Sequence, residues 1–281
     1  MNISASVLRV GSRTIRFGPP MVMGVVNTTT DSFSGDGLGG GTRRAVKTGL
    51  DMFAAGAEFV DIGGESTRPG ADTVPTDEEI RRTTEIVRRL AGRYPGRVSI
   101  DTMKAEVARE ALEAGASVVN DVNGLRGQGM AEVIAEHDAS VIIMHMRGTP
   151  KTMQKSPKYG DVVADISAFL EDRIAVAEKA GIRADRIMVD PGIGFGKNLN
   201  HNLEILTRLR ELRSLGKAIA IGVSRKSFIG KITDRPVDDR LGGSLAAAVL
   251  AAANGANVIR VHDVPETAQA LQVAWQIIKS D

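Results

Sequence analysis

The sequence predicts an α/β protein whose strands close into a (β/α)8 TIM barrel, preceded by a short N-terminal β-hairpin. Three observations carry that expectation. Eight apolar runs with strand character recur along the chain, segments with helical spacing separate them, and nearly every run ends in a polar or charged residue. An open doubly wound sheet is the competing arrangement. No linker, charge run or low-complexity tract divides the 281 residues, so a single domain spanning 1–281 is expected.

In order, Val7 to Val10 and Thr14 to Phe17 flank Gly11-Ser12-Arg13 and read as the hairpin. Strand-like runs follow at Met21–Val26, Glu58–Ile62, Val98–Ile100, Ser117–Val119, Val141–Met144, Arg186–Val189, Ala218–Val223 and Val258–Val261. Between them, apolar residues fall at helical spacing, as with Ala45, Leu50, Met52 and Phe53, or Ile80, Ile86, Val87 and Leu90. Glycine stops several of these helices just before the next strand, at Gly56, Gly115, Gly181 and Gly255. The Ala-rich segment Ser244–Asn254 is a further helix, suited either to the barrel wall or to a dimer contact.

Composition narrows the function classes. A net charge of +2 and 4% aromatic residues argue against nucleic-acid wrapping or stacking, so no nucleic-acid partner is expected. No apolar run is long enough to span a bilayer, and the N-terminus alternates apolar and polar residues instead of forming a signal peptide. The chain has no cysteine, which excludes disulfides and thiolate metal sites. It therefore reads as a cytoplasmic protein with no membrane partner.

The chemistry is expected where the strands end, because a barrel gathers its βα loops at one mouth. Those ends supply Asn27 and Asp31, then Gly63 to Gly70, Asp101, Asn120 and Asp121, His145 and Arg147, Asp190, Ser224-Arg225-Lys226, and Arg260 to Asp263. The stretch around Asp190, DPGIGFGKN, places a carboxylate after a buried strand and three glycines in the turn that follows. Helix capping explains some of the Asp and Asn residues. It does not explain Arg, Lys and His at strand ends. Carboxylates and cations sharing one mouth suit a ligand with a polar ring and an anionic group.

Together these motifs resemble dihydropteroate synthases. The matching stretches are VVNTTTDSFS (Val25–Ser34), DIGGESTRPGA (Asp61–Ala71), VSIDTMKAEVA (Val98–Ala108) and VVNDVNG (Val118–Gly124). They continue with IIMHMRGTPKTMQ (Ile142–Gln154), VDPGIGFGKNLNHN (Val189–Asn202), GVSRKSFIG (Gly222–Gly230) and IRVHDV (Ile259–Val264). The resemblance runs from about Met21 to the end of the chain. It implies a homodimeric barrel that joins 7,8-dihydropterin-6-ylmethyl pyrophosphate to p-aminobenzoate, with Mg²⁺ and release of pyrophosphate.

Residue chemistry can be set against that reaction. The pterin edge presents an amide N–H beside an amine, and a carboxylate accepts both, so Asp190 is assigned to it. Asn120, donor and acceptor at once, suits the far edge. Asp101 is a further pterin carboxylate by resemblance, and its charge would favour cationic character at the methylene; its bland role is a cap for a helix over Lys104–Ala114. Arg260 and His262 alternate along a strand and so point to one side, as a pyrophosphate clamp requires. The resemblance makes Asn27 the Mg²⁺ contact, an oxygen ligand acceptable to a hard ion. Ser224, Arg225 and Lys226 start a helix whose amides suit the aminobenzoate carboxylate. By resemblance Lys226 lies between the two substrates with Phe195 bordering the aromatic ring, and Phe33, Thr67, Met144 and Gly222 also line them. Arg68 is expected to act from a loop that closes over the reaction.

One departure stands out. Dihydropteroate synthases typically read Asn-Val-Thr-Pro-Asp-Ser-Phe in the first loop, whereas this chain reads Asn27-Thr28-Thr29-Thr30-Asp31-Ser32-Phe33, followed by a glycine-rich run. Lost proline and added glycine raise the entropy cost of ordering that loop, which bears on the aminobenzoate half. Two alternatives compete: a pterin-binding methyltransferase, which would not need GVSRKSFIG or the Arg260/His262 pair, and a catalytically silent pterin-binding homologue.

Overall fold

The structure, a computed structural model, describes residues 7–28, 37–67 and 70–279. Phe33 and Arg68, both expected at the site, lie outside the described residues, as does Asp31.

Eight parallel strands form a closed barrel: β3 (Met21–Asn27), β4 (Phe59–Gly63), β5 (Val98–Asp101), β6 (Val118–Asp121), β7 (Ser140–Met144), β8 (Ile187–Asp190), β9 (Ala218–Gly222) and β10 (Val258–Val261), with β10 pairing back onto β3. The open doubly wound alternative is thereby excluded. Around the barrel run α1 (Gly37–Ala54), α2 (Thr76–Arg93), α3 (Ala105–Glu113), α4 (Met130–Glu136), α5 (Val162–Lys179), α6 (Leu199–Thr207), α7 (Ser227–Thr233), α8 (Leu241–Ala253) and α9 (Val264–Ile278). Helix–strand alternation forces the parallel order, since each crossover returns the chain to the same end of the sheet. No described helix is long and apolar enough to cross a membrane.

Strand residues alternate between two apolar layers. Outward-facing Val60, Ile62, Val98, Ile100, Val119 and Ile143 pack with the helices in the larger core. Inward-facing Met23, Phe59, Val118, Ile142, Met188, Ala218, Ala220 and Val258 fill the barrel, and Leu8 and Val10 of the hairpin join them. That hairpin, β1 (Val7–Val10) paired antiparallel with β2 (Arg13–Arg16), closes the end where the strands begin. It is tied there by Ser140 Oγ donating to Arg9 O at 2.5 Å and by Arg13 Nη2 to Glu58 Oε1 at 2.5 Å. With one end plugged by hydrocarbon, only the strand C-termini offer a polar opening.

Several boundaries differ from the sequence reading. Strands β3 to β6 and β8 end one or two residues later than read, so Asn27, Asp101, Asn120, Asp121 and Asp190 belong to strands and not to loops. Ladder hydrogen bonds override the low strand propensity of Asn and Asp. The Ala-rich helix starts earlier, at Leu241, and turns Ser244, Ala247, Ala248 and Ala251 inward. Asp101 does not cap α3; the cap position is Lys104, which makes no side-chain cap bond. Glycine does end the helices as expected, for example Gly115 at φ +108°, a conformation costly for any residue with a Cβ.

Candidate active site

One step above the apolar plug, the period of two brings Asp61, Asn120, Met144, Asp190, Gly222 and Arg260 inward, each two residues beyond an interior apolar residue. At the centre, the Arg260 guanidinium reaches across the barrel. Its Nε donates to Asp61 Oδ2 at 2.7 Å and its Nη2 to Asp101 Oδ2 at 2.6 Å. Asn120 Nδ2 donates to the same Asp61 oxygen at 2.9 Å. Asp61 is fully buried, and Asp61 Oδ1 and Asp101 Oδ1 are buried acceptors without a partner. Orphaned buried acceptors are costly unless a ligand supplies donors.

Burial is the largest influence on these charges. It raises Asp101 to about 7, with Arg260 pulling down and Asp61 pushing further up. Burial also raises Asp190, opposed by the Gly192 N–H and by Lys226, Lys197 and Arg260. Arg260 is disfavoured by burial, but Asp61 and Asp101 outweigh that and hold its proton more tightly than usual. Neighbouring Asp121 points the other way. Its oxygens accept the backbone N–H of Asn123 at 2.8 Å and of Leu125 at 2.7 Å, a structural role, and burial raises it to about 6.

The turn after β8 forms the adjacent wall. Asp190 Oδ1 accepts the Gly192 N–H at 2.7 Å, which orients the carboxylate. Gly192 has φ +70°, and a Cβ there would lie 2.0 Å from the His145 carbonyl oxygen, so only glycine permits this approach. Phe195 packs against a methionine-rich cluster that contains Met144, Met146 and Met153. Its ring lies 4.4 Å from Lys226 Nζ, a cation–π contact.

A third group lies above Arg260. Ser224 Oγ and His262 Nδ1 are 3.2 Å apart, and the His262 N–H donates to Ser224 Oγ at 3.3 Å. Arg225, expected at the aminobenzoate carboxylate, pairs with Asp263, its Nε 3.0 Å from Oδ2, while its N–H donates to Ser244 Oγ at 2.9 Å. Thr67 and Asp101 line one small cavity of about 10 Å³, which sets the base of the loop after β4 beside the carboxylate. Lys104 anchors that loop through Glu65 and Glu79, each at 2.5 Å, and the Val74 carbonyl at 2.7 Å.

Asn27 is exposed at the end of β3. The space a Cβ on Gly63 would fill is 3.7 Å from both Asn27 Oδ1 and Asp101 Oδ2, so an amide oxygen and a carboxylate oxygen border one spot. Among the described residues no group of three or more His, Cys, Asp or Glu could hold a metal. This donor set fits an ion that draws most of its ligands from water and phosphate, as Mg²⁺ does.

Two groups escaped the sequence reading. Asp61 was legible as a charge inside an otherwise apolar strand, Phe59-Val60-Asp61-Ile62. Lys197 carried no periodic signal, yet it is buried with its amino group on His145 and the Phe195 carbonyl.

This arrangement offers carboxylates and an amide to a heterocycle, a cation and an aromatic ring to a second planar group, and Ser224 with His262 to an anion. Comparison with known proteins agrees. Residues 23–262 match the family described as pterin binding enzyme. The chain is 46% identical over 254 residues to the dihydropteroate synthase of Escherichia coli K12, covering 90% of each. It superposes on a Yersinia pestis dihydropteroate synthase in a sulfonamide drug complex with TM-score 0.92 and 42% identity, covering 98% of this chain and 100% of that one. A Xanthomonas albilineans dihydropteroate synthase with 4-aminobenzoic acid gives TM-score 0.90 and 43% identity, over 99% of this chain and 100% of that one.

Proposed function

Because the chain belongs to the pterin-binding enzyme family, we propose that it is a transferase with dihydropteroate synthase activity, condensing 7,8-dihydropterin-6-ylmethyl pyrophosphate with p-aminobenzoate to give 7,8-dihydropteroate and pyrophosphate. The observation that carries this reading is the convergence of Asp190, Asn120, Asp101 and Arg260 at the open end of the barrel, with two buried carboxylate oxygens awaiting donors.

In the reaction, the methylene C–O bond to pyrophosphate breaks and a C–N bond to the aminobenzoate nitrogen forms, with one amine proton lost. Asp190 accepts the paired N–H donors of the pterin, and Asn120 meets its far edge. Asp101, ionised above about pH 7, favours positive charge as it develops at the methylene. Pyrophosphate departs toward His262, while Ser224 beside it stays with the aminobenzoate carboxylate. Arg260 contributes there only in competition with its two ion pairs, so its first duty is to balance Asp61 and Asp101. Lys226 and Phe195 border the aminobenzoate ring. Asn27 would hold Mg²⁺ jointly with phosphate oxygens, and the ion would neutralise charge on the leaving group.

A homodimer belongs to the same reading. Ile232, Leu241, Leu250, Val273 and Ile277, on the consecutive helices α7 to α9, are exposed large hydrophobics; Ile277 is 65% exposed. Residues of this kind support a self-association face. A cytoplasmic location accords with a cysteine-free chain.

The test is pyrophosphate release from the pterin pyrophosphate with Mg²⁺, with and without p-aminobenzoate. Amine-dependent release that yields dihydropteroate is expected. Tight pterin binding without turnover would instead identify a silent homologue.

A further inference from the structure

Lys197 is the buried cation for which the reaction above has no use. Only 3% of it is exposed, and nothing about a βα turn requires an amino group in its interior. Its Nζ lies 2.9 Å from His145 Nδ1, 2.9 Å from the Phe195 carbonyl oxygen and 3.4 Å from the His145 carbonyl oxygen. These contacts join the end of β7 to the turn after β8, the turn that carries Phe195. We propose that Lys197 is a positioning residue for the aromatic-amine half of the site: its amino group pins the Phe195 carbonyl to His145 and so sets where the Phe195 ring stands against Lys226.

The geometry leaves little else for this group to do. The side chain folds back two residues along its own loop, closing the glycine turn Gly194–Gly196 from beneath. The turn's other ties are the Phe195 N–H donating to the Gly192 carbonyl at 3.0 Å, Gln154 Nε2 to the Gly194 carbonyl at 2.6 Å, Tyr159 Oη to the Gly196 carbonyl at 2.8 Å, and the Gly194 N–H to Asn202 Oδ1 at 2.8 Å. None of these holds the Phe195 carbonyl. Gly194 and Gly196 have φ of +85° and +67°, in the region glycine enters without penalty, so without its pin the segment between them has alternative backbone paths.

The partner is rigid. The His145 ring is buried and packs edge-on to Phe169 with centroids 4.9 Å apart. Burial, with Lys197 next, pushes His145 down to about 2, so the ring is neutral. Burial drives Lys197 well below its usual value against the attraction of Asp190, and Lys226 adds to the fall. Three polar contacts take up the amino group: two N–H groups serve the two carbonyls, and the third position meets His145 Nδ1. The Phe195 ring then has a fixed floor, and it presents its face to Lys226 Nζ at 4.4 Å.

This inference rests on the reading that Phe195 and Lys226 border the amine substrate, and the experiment separates the two. KM for each substrate and kcat are measured for the parent, Lys197→Met and Phe195→Ala. Lys197→Met is expected to raise KM for p-aminobenzoate about tenfold, the scale of one or two buried hydrogen bonds. KM for the pterin pyrophosphate and kcat should stay within about twofold, because Asp190 keeps its own anchor at Gly192. A residue that merely stabilised the fold would not produce this split. If Lys197→Met does not fold, the same split is read on Lys197→Ala, which also removes the donor. Equal rises in both KM values, or an unchanged aminobenzoate KM while Phe195→Ala raises it, overturns the positioning role. An unchanged aminobenzoate KM in Phe195→Ala itself overturns the underlying placement of the amine.

Discussion

Asp61→Asn is the sharpest probe of the charge cluster at the centre of the barrel. The substitution preserves volume and removes one charge. Oriented with its amide oxygen where Oδ2 stood, the new side chain still accepts from Arg260 and Asn120, but the Arg260 bond loses its charge assistance. Charged hydrogen bonds contribute roughly 1.5–3 kcal/mol and neutral ones about 1, so stability should fall by about 0.5–2 kcal/mol. The amide N–H₂ also replaces Oδ1, a buried acceptor without a partner, and points a donor where the pterin needs an acceptor.

Asp101 should respond, because Asp61 is one of the groups raising it to about 7. Without Asp61, Arg260 acts on Asp101 alone and its value drops. The direction of the stability effect follows. A carboxyl whose folded value exceeds 3.8 favours the fold when protonated; that contribution is full below 3.8 and is lost as the pH rises through about 7. In Asp61→Asn the loss is smaller, so the destabilisation should be largest at the acid end of about pH 5–8 and shrink toward neutrality. Urea unfolding at several pH values reads this directly. Calorimetric binding of a free pterin, which lacks titrating phosphates, should show its acid limb moving to lower pH. A destabilisation that does not change with pH, together with an unmoved limb, would refute the coupling of Asp61, Arg260 and Asp101.

The remaining predictions address each half of the site. Asp190→Asn puts a donor against a donor and should weaken pterin binding by an order of magnitude or more, about 1–3 kcal/mol per unpaired contact; unchanged calorimetric affinity in the folded variant would remove Asp190 from the pterin edge. His262→Ala should impair use of the pyrophosphate ester far more than binding of free pterin, and equal losses would make it a ring-pocket residue. Arg260→Ala leaves Asp61 and Asp101 buried without their cation and should cost about 3–5 kcal/mol in chemical denaturation. Binding should be ordered: a sulfonamide or p-aminobenzoate should titrate weakly onto the free protein and more tightly with pyrophosphate and Mg²⁺, whose charge offsets the entropy cost that a glycine-rich, proline-poor first-loop sequence sets. Equal affinity in both conditions would mean a preformed amine site.

Much of this protein could be read from local pattern. Apolar runs alternating with helical segments require a parallel α/β arrangement, and the period of two along β8 and β10 already aims Asp190 and Arg260 inward, whatever lies opposite. Glycine at helix ends and in the turn after Asp190 reports backbone conformation, which is a local property. Pairings across the barrel are of another kind. Arg260 meets Asp61 across 199 residues of sequence and Asp101 across 159. Only closure of β10 onto β3 decides that it neutralises carboxylates before it can clamp an anion. The same holds for Arg225, drawn to Asp263, and for Lys197, whose amino group finds His145 because β7 and β8 are neighbours in the sheet. A charged side chain's role depends on which groups share its desolvated volume. That volume does not exist until the barrel has closed.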